Sequence, residues 1–429
     1  MPYLIPERDD FDALRADMSL GMRRAARYYN ELVVPGIGGA WRVRHLSWPV
    51  AGIYLKQQMQ SKHSAIAITH GIEALGNKLE WFCAKDSDRA NLHLRGVRAF
   101  ARNENAWAFR ELSQKRFYVQ ITHRQQCTRA LPVDTGLGFT QDSSRFNSMV
   151  ITTLGKELAT ALLAREGVGQ GPPTLETNLR RWIAGEFDPK TPKTHLMKLK
   201  PLLSPLSPTK QECSLVLGRV HSLVPASGEV GLRNDPRRRE RLLRFLEDNV
   251  RDNDDWSDTE SLLSWLETTL EGRTHAKDIL TAIAFEDMRL AGVNLLGSIA
   301  KILGSALARL SLKDCVKNPS IIKNIAAHRN AAKWYLHCAK GGNNSRRDAD
   351  AFAQEAIKKD NTEVICTLLK RDGRILSLAG DAIFPGPVYR PDFREADIEQ
   401  DQEQEISFKG RPSRLFQFIA LWRDCHGQA

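Results

Sequence analysis

Apolar residues recur along this chain at the spacing of an α-helix, and this pattern limits its fold more than any other feature. The spacing is near 3.6 residues in the early stretches Phe11–Leu20, Ile66–Phe82 and Ala106–Leu131. It returns in the second half at Ala276–Ala300 and Ile302–Leu312. Each such helix carries an apolar stripe that must be buried against a neighbour. The pattern therefore predicts a mainly α, multi-domain helical protein.

Breaks in the helical pattern divide the chain into four predicted regions. Residues 1–165 form a basic helical domain, and residues 166–233 form a connector rich in proline and lysine. Residues 234–340 form a second helical domain, and residues 341–429 form a C-terminal helical region with an acidic loop. Because prolines interrupt helices, we expect the stretch from Asp188 to Pro208 to be a semi-extended strap that lies along a phosphate backbone, with a solvated linker as the alternative.

The segment Gln114–Leu163 has the order helix, short hairpin, helix, with Thr153 predicted to cap the second helix. Many winged-helix domains contain a similar pattern of Gly-Leu, Ile-Thr, Gly and Leu-Ala, found here between Gly136 and Ala159. The segment therefore resembles a winged-helix module with Arg145 at the tip of its wing. The resemblance implies a DNA-reading module or, as the alternative, a structural winged helix that mediates protein contacts.

Positive charge is distributed unevenly along the sequence. The whole chain has a formal net charge of +11. Residues 1–250 hold 37 Lys and Arg against 25 Asp and Glu, a net charge of +12, whereas residues 251–429 have a net charge of −1. Such asymmetry is typical of a protein whose basic part contacts nucleic acid or another polyanion. An ordinary basic surface is the alternative interpretation.

Basic side chains in the first 250 residues are the predicted nucleic-acid-binding residues, and double-stranded DNA is the expected ligand. Lys and Arg that neutralise phosphates supply affinity without reading sequence. The candidates lie after the glycine loop, in the helix before the hairpin, at the hairpin tip, in the connector, and where the next helix starts. They are Arg42, Arg44, Lys115, Arg116, Arg124, Arg129, Arg145, Lys193, Lys198, Lys200, Arg237, Arg238 and Arg239.

No catalytic or metal-binding motif is complete in the sequence. The aspartates at 252–258 lack the glycine and the terminal glutamate of a calcium loop. His275 and Lys277 lack the later aspartate of a phospholipase-D-type nuclease motif. Seven scattered cysteines form no CxxC pair. We therefore expect no metal, no cofactor, no catalytic residue, and reduced thiols.

One motif favours an enzyme instead. Arg329-Asn330 followed by His337 resembles the Arg-Asn…His motif of HEPN ribonucleases, helical proteins that cleave RNA at a dimer interface. The resemblance implies that Arg329 stabilises the charge of the phosphorane and that His337 moves protons. Seven residues separate the pair, which is longer than the usual spacing. On one helix, Arg329 and His337 would lie about 12 Å apart along the axis.

A cytoplasmic location and no membrane segment are expected. The most apolar stretch, Leu290–Leu310, is interrupted by Lys301 and Arg309, so it is typical of a buried helix. The first residues are acidic and lack the apolar core of a signal peptide.

Three stretches carry a wider resemblance: YYNELVVPGIGGAWRVRHLSW at 28–48, GLGF…ITTLGKELA at 136–159 and RLFQFIALWRDC at 414–425. They are similar to uncharacterised helical proteins that bacteria encode beside phage-defence ATPases and nucleases. The resemblance implies an accessory subunit and assigns no catalytic residue. The leading hypothesis is a non-catalytic DNA-binding or scaffold subunit of a bacterial complex, in anti-phage defence. The alternatives are a HEPN-like ribonuclease and a protein-interaction adaptor without a nucleic-acid role.

Overall fold

A computed structural model describes most of the chain, and it is predominantly helical, which confirms the predicted fold class. Within the described part, no helix combines the length and the apolar run that a bilayer crossing requires. The described residues are 20–59, 61–85, 89–92, 94, 96–114, 127–141, 145–166, 173–187, 192–222, 235–249, 259–305, 309–339, 346–387, 389 and 413–427.

The elements follow one another in the chain as helices with two small antiparallel sheets. The first part contains α1 (Arg23–Val33), α2 (Arg44–Met59), α3 (Ala65–Cys83), α4 (Val97–Arg102) and α5 (Phe109–Leu112). The middle part contains β1 (Thr140–Gln141), β2 (Val150–Ile151), α6 (Thr153–Leu163), α7 (Leu175–Ala184), α8 (Pro192–Met197), α9 (Lys200–Leu203), α10 (Lys210–Val220) and α11 (Arg238–Asn249). The last part contains α12 (Thr259–Leu266), α13 (Leu270–Ser305), β3 (Leu310–Ser311), α14 (Leu312–Lys317), α15 (Pro319–Cys338), α16 (Arg347–Ala356), α17 (Asn361–Asp372), β4 (Leu376–Ala379), β5 (Ala382–Pro385) and α18 (Ser413–Cys425).

The chain divides into two compact units, and each unit is assembled from two separate stretches of sequence. Unit 1 comprises residues 1–33 and 263–413. Unit 2 comprises residues 34–262 and 414–429. Contacts between residues far apart in the sequence therefore determine which elements belong together.

This division does not coincide with the four regions expected from composition. The expected boundaries near 165 and 233 fall inside unit 2, and the one near 340 falls inside unit 1. Across the first of these, the backbone N–H of Leu175 donates to the carbonyl of Arg165 at 2.8 Å. Composition changes near residue 165, but backbone hydrogen bonding continues across that position.

Unit 1 is built on the long helix α13, which packs against α15 and α1. The rings of Tyr29 on α1 and Phe285 on α13 have centroids 4.9 Å apart. The hydroxyl oxygens of Tyr29 and Tyr335 lie 2.9 Å apart, and Tyr335 donates to the Asp350 carboxylate at 2.7 Å. These bonds satisfy phenol groups that are buried among apolar side chains. The strands β3, β5 and β4 add a three-stranded antiparallel sheet in that order.

Unit 2 is centred on α2 and α3, two largely buried helices that cross closely. A Cβ atom at Gly52 of α2 would lie 2.2 Å from the hydroxyl oxygen of Thr69 on α3. A Cβ atom at Gly76 of α3 would lie 2.6 Å from the ring of Trp48. The absence of side chains at these two glycines lets the helix backbones approach each other.

The segment Gln114–Leu163 is described in part, since residues 115–126 lie outside the described residues. A helical turn covers 127–130, and β1 pairs antiparallel with β2. The cap of α6 is Thr152, one residue earlier than expected, because its hydroxyl accepts the N–H of Gly155 at 3.0 Å. The hairpin and the following helix are present, whereas the winged-helix module stays a prediction.

Candidate nucleic-acid interface

The predicted phosphate-binding residues fall into three groups in the structure. Some are buried and bonded within unit 2, and others are exposed or half-exposed on it. The third group, Lys115, Arg116 and Arg124, lies outside the described residues.

Arg44 is fully buried and forms an ion pair with Glu212, their Nη1 and Oε1 atoms lying 3.2 Å apart. Its Nη2 group donates to the carbonyls of Leu202 at 3.1 Å and Ser207 at 2.8 Å. Arg165 donates to the same two carbonyls. Burial lowers the pKa of the Arg44 guanidinium, and Glu212 opposes that shift. Arg44 therefore stabilises the interior of unit 2, and a phosphate has no access to it in this structure.

Arg42 is also buried, beside Asp424 of α18, with 3.9 Å between the Nη1 and Oδ1 atoms. The other oxygen of Asp424 accepts the backbone N–H of Val43 at 2.6 Å. Burial raises the pKa of Asp424 to about 6, and the bonds to Val43 and Arg42 oppose this rise. These contacts join the 28–48 stretch to the 414–425 stretch, two of the three that carry the sequence resemblance.

The glycine loop before α2 packs against the third of these stretches. Gly36 has a positive φ of 70°, and a Cβ atom there would lie 2.8 Å from the carbonyl oxygen of Thr135 and 3.1 Å from the Cα of Gly136. A residue with a side chain would be strained there and would collide with backbone. The loop thus needs glycine for close packing within unit 2.

Arg238 and Arg239 are buried, whereas the sequence favoured a basic helix start open to phosphates. The Nε group of Arg238 donates to Asp235 at 3.2 Å. The Nη2 group of Arg239 donates to the carbonyl of Ser222 at 3.0 Å. Successive helical residues point about 100° apart, so a run of arginines cannot face solvent as one group. We therefore correct the assignment of Arg238 and Arg239 to a structural role.

The remaining candidates lie at or near the surface of unit 2. Arg237 lies 3.9 Å from Glu240, between its Nε atom and the carboxylate oxygen Oε2. Arg145 lies between β1 and β2, where the sequence predicted a hairpin tip. The exposed candidates are Arg145, Lys193, Lys198 and Arg237, and the half-exposed ones are Arg129 and Lys200.

Two of the connector lysines lie at the C-terminal part of α3. The ammonium of Lys193 is 3.8 Å from the centroid of the Phe82 ring, and that of Lys200 is 3.2 Å from a Glu80 carboxylate oxygen. The C-terminal end of a helix dipole favours cations, which contributes to this placement. The predicted strap is thus partly helical, as α8 and α9, and two of its lysines, Lys193 and Lys200, lie beside the C-terminal part of α3.

A stack of three side chains next to these lysines was not recognised in the sequence. The guanidinium carbon of Arg181 lies 5.5 Å from the ring centroid of Phe187. The rings of Phe187 and His195 are 5.8 Å apart and nearly parallel, at 9°. Arg181 and His195 are exposed, and Phe187 is half-exposed. Only the placement of α7, Phe187 and α8 in the fold brings them together, so spacing offered no signal for them.

The net positive charge of the chain belongs almost entirely to unit 2. Unit 2 holds 35 Lys and Arg against 25 Asp and Glu, a net charge of +10. Unit 1 holds 27 against 26, a net charge of +1. Among the described residues of unit 2, twelve Lys and Arg are exposed, compared with eight exposed Asp and Glu. The excess therefore persists at the described surface, although several arginines are buried.

Arg329 and His337 do not form a shared site within the described residues of one chain. They lie on one unbroken helix, α15, which keeps them about 12 Å apart along the axis. Arg329 donates to the carbonyls of Lys358 at 2.6 Å and Lys359 at 2.8 Å, and to the side chain of Asn361 at 2.8 Å. Arg329 therefore ties α15 to the start of α17, while His337 is exposed.

The other candidates for catalysis or metal binding are His275, the cysteines and possible clusters of metal-binding side chains. His275 is buried, with its Nε2 atom 2.9 Å from the carbonyl oxygen of Val33. All seven cysteines are free thiols. Over the described ranges, no cluster of three or more His, Cys, Asp or Glu side chains is arranged to hold a metal ion.

Comparison with protein-family models, curated proteins and solved structures gives no match for this chain. The resemblance to proteins encoded beside phage-defence genes stays a prediction.

Proposed function

We propose that this protein binds nucleic acid, primarily DNA, through unit 2 without cleaving it, as a cytoplasmic subunit of a bacterial multi-protein complex in phage defence. The observation that carries the proposal is the net charge of +10 on unit 2. Clustered Lys and Arg on one compact unit are the electrostatic signature of phosphate binding. The seven free thiols are consistent with a reducing compartment.

The part of this charge that lies at the surface of unit 2 is the part that phosphates can reach. The ion pair of Arg44 with Glu212 and the bond of Arg238 to Asp235 neutralise cations inside unit 2. The exposed residues Lys193, Lys198 and Arg145 leave their positive charges open to solvent. They can exchange condensed counterions for phosphates, which gives affinity with little sequence preference.

A salt titration of duplex DNA binding tests this function. With about six or more phosphates engaged, affinity should fall by orders of magnitude between about 50 and about 200 mM salt. The measurement is fluorescence anisotropy of a labelled duplex with the full chain. Absence of binding at low salt would contradict the proposal and favour a protein-interaction adaptor.

Matched variants localise the binding surface. Lys193→Ala with Lys198→Ala removes two exposed charges from unit 2, and should lower affinity and reduce the salt slope by about two. Lys323→Ala with Lys333→Ala removes two exposed charges from α15 of unit 1 and should change neither. Equal losses in both variants would mean that net charge, not unit 2, governs binding.

A further inference from the structure

The stack of Arg181, Phe187 and His195 is an exposed aromatic platform beside lysines. Its outer members, Arg181 and His195, are exposed, while the helices that carry them are anchored by other residues. Trp182 of α7 and Leu196 of α8 are buried in unit 2 and hold those two helices in place. The two outer members of the stack therefore stand on helices anchored in unit 2, whereas Phe187 lies in a bend after α7, at the surface rather than in the apolar core.

The contacts that Arg181 and His195 make with Phe187 lie at the surface of unit 2. Arg181 also lies 3.6 Å from Glu186, between its Nε atom and the carboxylate oxygen Oε2. Both side chains of this pair are about half exposed, so the pair contributes little and exchanges readily with water. The rings of His195 and Phe187 stack with their centroids 5.8 Å apart, and the His195 side chain is exposed, so solvent reaches it.

Two lysines lie within three residues of His195 in the sequence. Lys198 is three residues after His195, in the turn that follows α8, and it is exposed. Lys193 lies on α8 itself, with its ammonium 3.8 Å from the Phe82 ring centroid. A planar platform with cations beside it is the combination that binds a base by stacking and its phosphate by charge.

We propose that Arg181, Phe187 and His195 form a stacking site for an unpaired base of single-stranded nucleic acid, with Lys198 contacting the adjoining phosphate. The inference rests on the proposed nucleic-acid binding by unit 2 and specifies its ligand. Within a duplex both faces of each base are covered by its neighbours, so away from the duplex ends only an unpaired base can offer a face to this platform. The site therefore adds affinity for single strands above that for duplex.

Binding of an oligothymidine single strand, compared with a duplex of equal phosphate count, tests this inference in the full chain. Phe187→Leu keeps the apolar volume but removes the ring, and should weaken single-strand binding about tenfold while leaving duplex binding unchanged. Arg181→Lys keeps the charge but loses the plane and should act in the same direction. Lys198→Ala should weaken both ligands, because it removes a phosphate contact.

The outcomes separate this inference from the function on which it rests. If Phe187→Leu and Arg181→Lys bind the single strand as the wild type does, the stacking site is wrong, although nucleic-acid binding stands. If they weaken both ligands equally while thermal unfolding is unchanged, the stack serves general binding and the inference is overturned. If the wild type binds neither ligand at low salt, the proposed function itself falls.

Discussion

Asp424 joins the end of the chain to the start of α2, and it does so as a buried carboxylate. Its two oxygens contact the backbone of Val43 and the guanidinium of Arg42. Burial disfavours the charged form and raises the pKa of Asp424 to about 6, above its ordinary value near 3.8. The folded state therefore binds a proton more tightly than the unfolded state does.

This shift predicts a specific pH dependence of stability. Because the folded pKa is raised, the contribution of Asp424 is fully present below about pH 4 and is lost as pH rises through about 6. Asp424→Asn cannot titrate, so its free energy of unfolding should lack this loss. The free energy of unfolding of the wild type minus that of Asp424→Asn should therefore fall by up to about 3 kcal/mol from pH 4 to pH 7. Urea unfolding at several pH values measures it, and a constant gap would contradict the assignment.

The neighbouring arginines of α11 have opposite roles that single substitutions can separate. Arg239→Ala should lower stability by about 1–3 kcal/mol, since it leaves the carbonyl of Ser222 without its buried donor. Arg237→Ala should change stability by less than about 1 kcal/mol, because its pair with Glu240 is exposed. Only Arg237→Ala is then suited to a DNA-binding measurement. Similar melting curves for both variants would show that burial of Arg239 is not maintained in solution.

At the scale of elements, the crossing of α2 and α3 depends on residues without side chains. Gly52 faces Thr69 so closely that an added Cβ atom meets both the hydroxyl and the Cα of that threonine. The contact involves backbone, so a rotamer change cannot relieve it. Overpacking at Gly52 would arise from the position of the neighbouring helix α3, so helix propensity alone does not reveal it.

Alanine substitutions at two helical glycines should therefore have opposite signs. Gly52→Ala should lower stability by about 1–3 kcal/mol through overpacking. Gly218→Ala on α10 meets no atom within 4 Å and should raise stability by about 0.5–1 kcal/mol, because alanine favours the helix. Thermal unfolding of both variants measures the difference. A neutral Gly52→Ala would mean that the two helices are not this close.

At the scale of the whole molecule, the net positive charge is concentrated on unit 2. The ribonuclease-like pair of Arg329 and His337 does not form a shared site within the described residues of one chain. Arg329 is engaged by carbonyls of unit 1, and the unbroken α15 holds His337 away from it. The described residues instead include exposed lysines, the stack of Arg181, Phe187 and His195, and the excess positive charge of unit 2.

We expect the purified chain to leave nucleic acid intact. Single- and double-stranded DNA and RNA, incubated with and without Mg²⁺ or Mn²⁺, should show no cleavage. Cleavage that disappears in both Arg329→Ala and His337→Ala would establish the ribonuclease alternative. Cleavage that needs metal and survives both changes would reveal a separate nuclease site. His337→Ala should fold as the wild type does, since His337 is exposed.

Helical periodicity and charge content are properties of local sequence, so the mainly α class and the excess of positive charge in this chain were predictable. The hairpin at 140–151 and the helix after it were predictable as well, because turn glycines and a capping threonine act within a few residues.

Burial is not a local property, and the tertiary structure alone decided which cations face solvent. Arg44 and Arg239 resembled Lys193 and Arg145 in the sequence, yet contacts with Glu212 and Ser222 place the first two inside unit 2. The same holds for the stack on Phe187 and for the joining of α18 to α2 through Asp424. The contacts of Arg44 with Glu212 and of Val43 with Asp424 join segments distant in the chain, whereas the stack joins two successive helices. In each case the packing of whole helices decides which side chains meet.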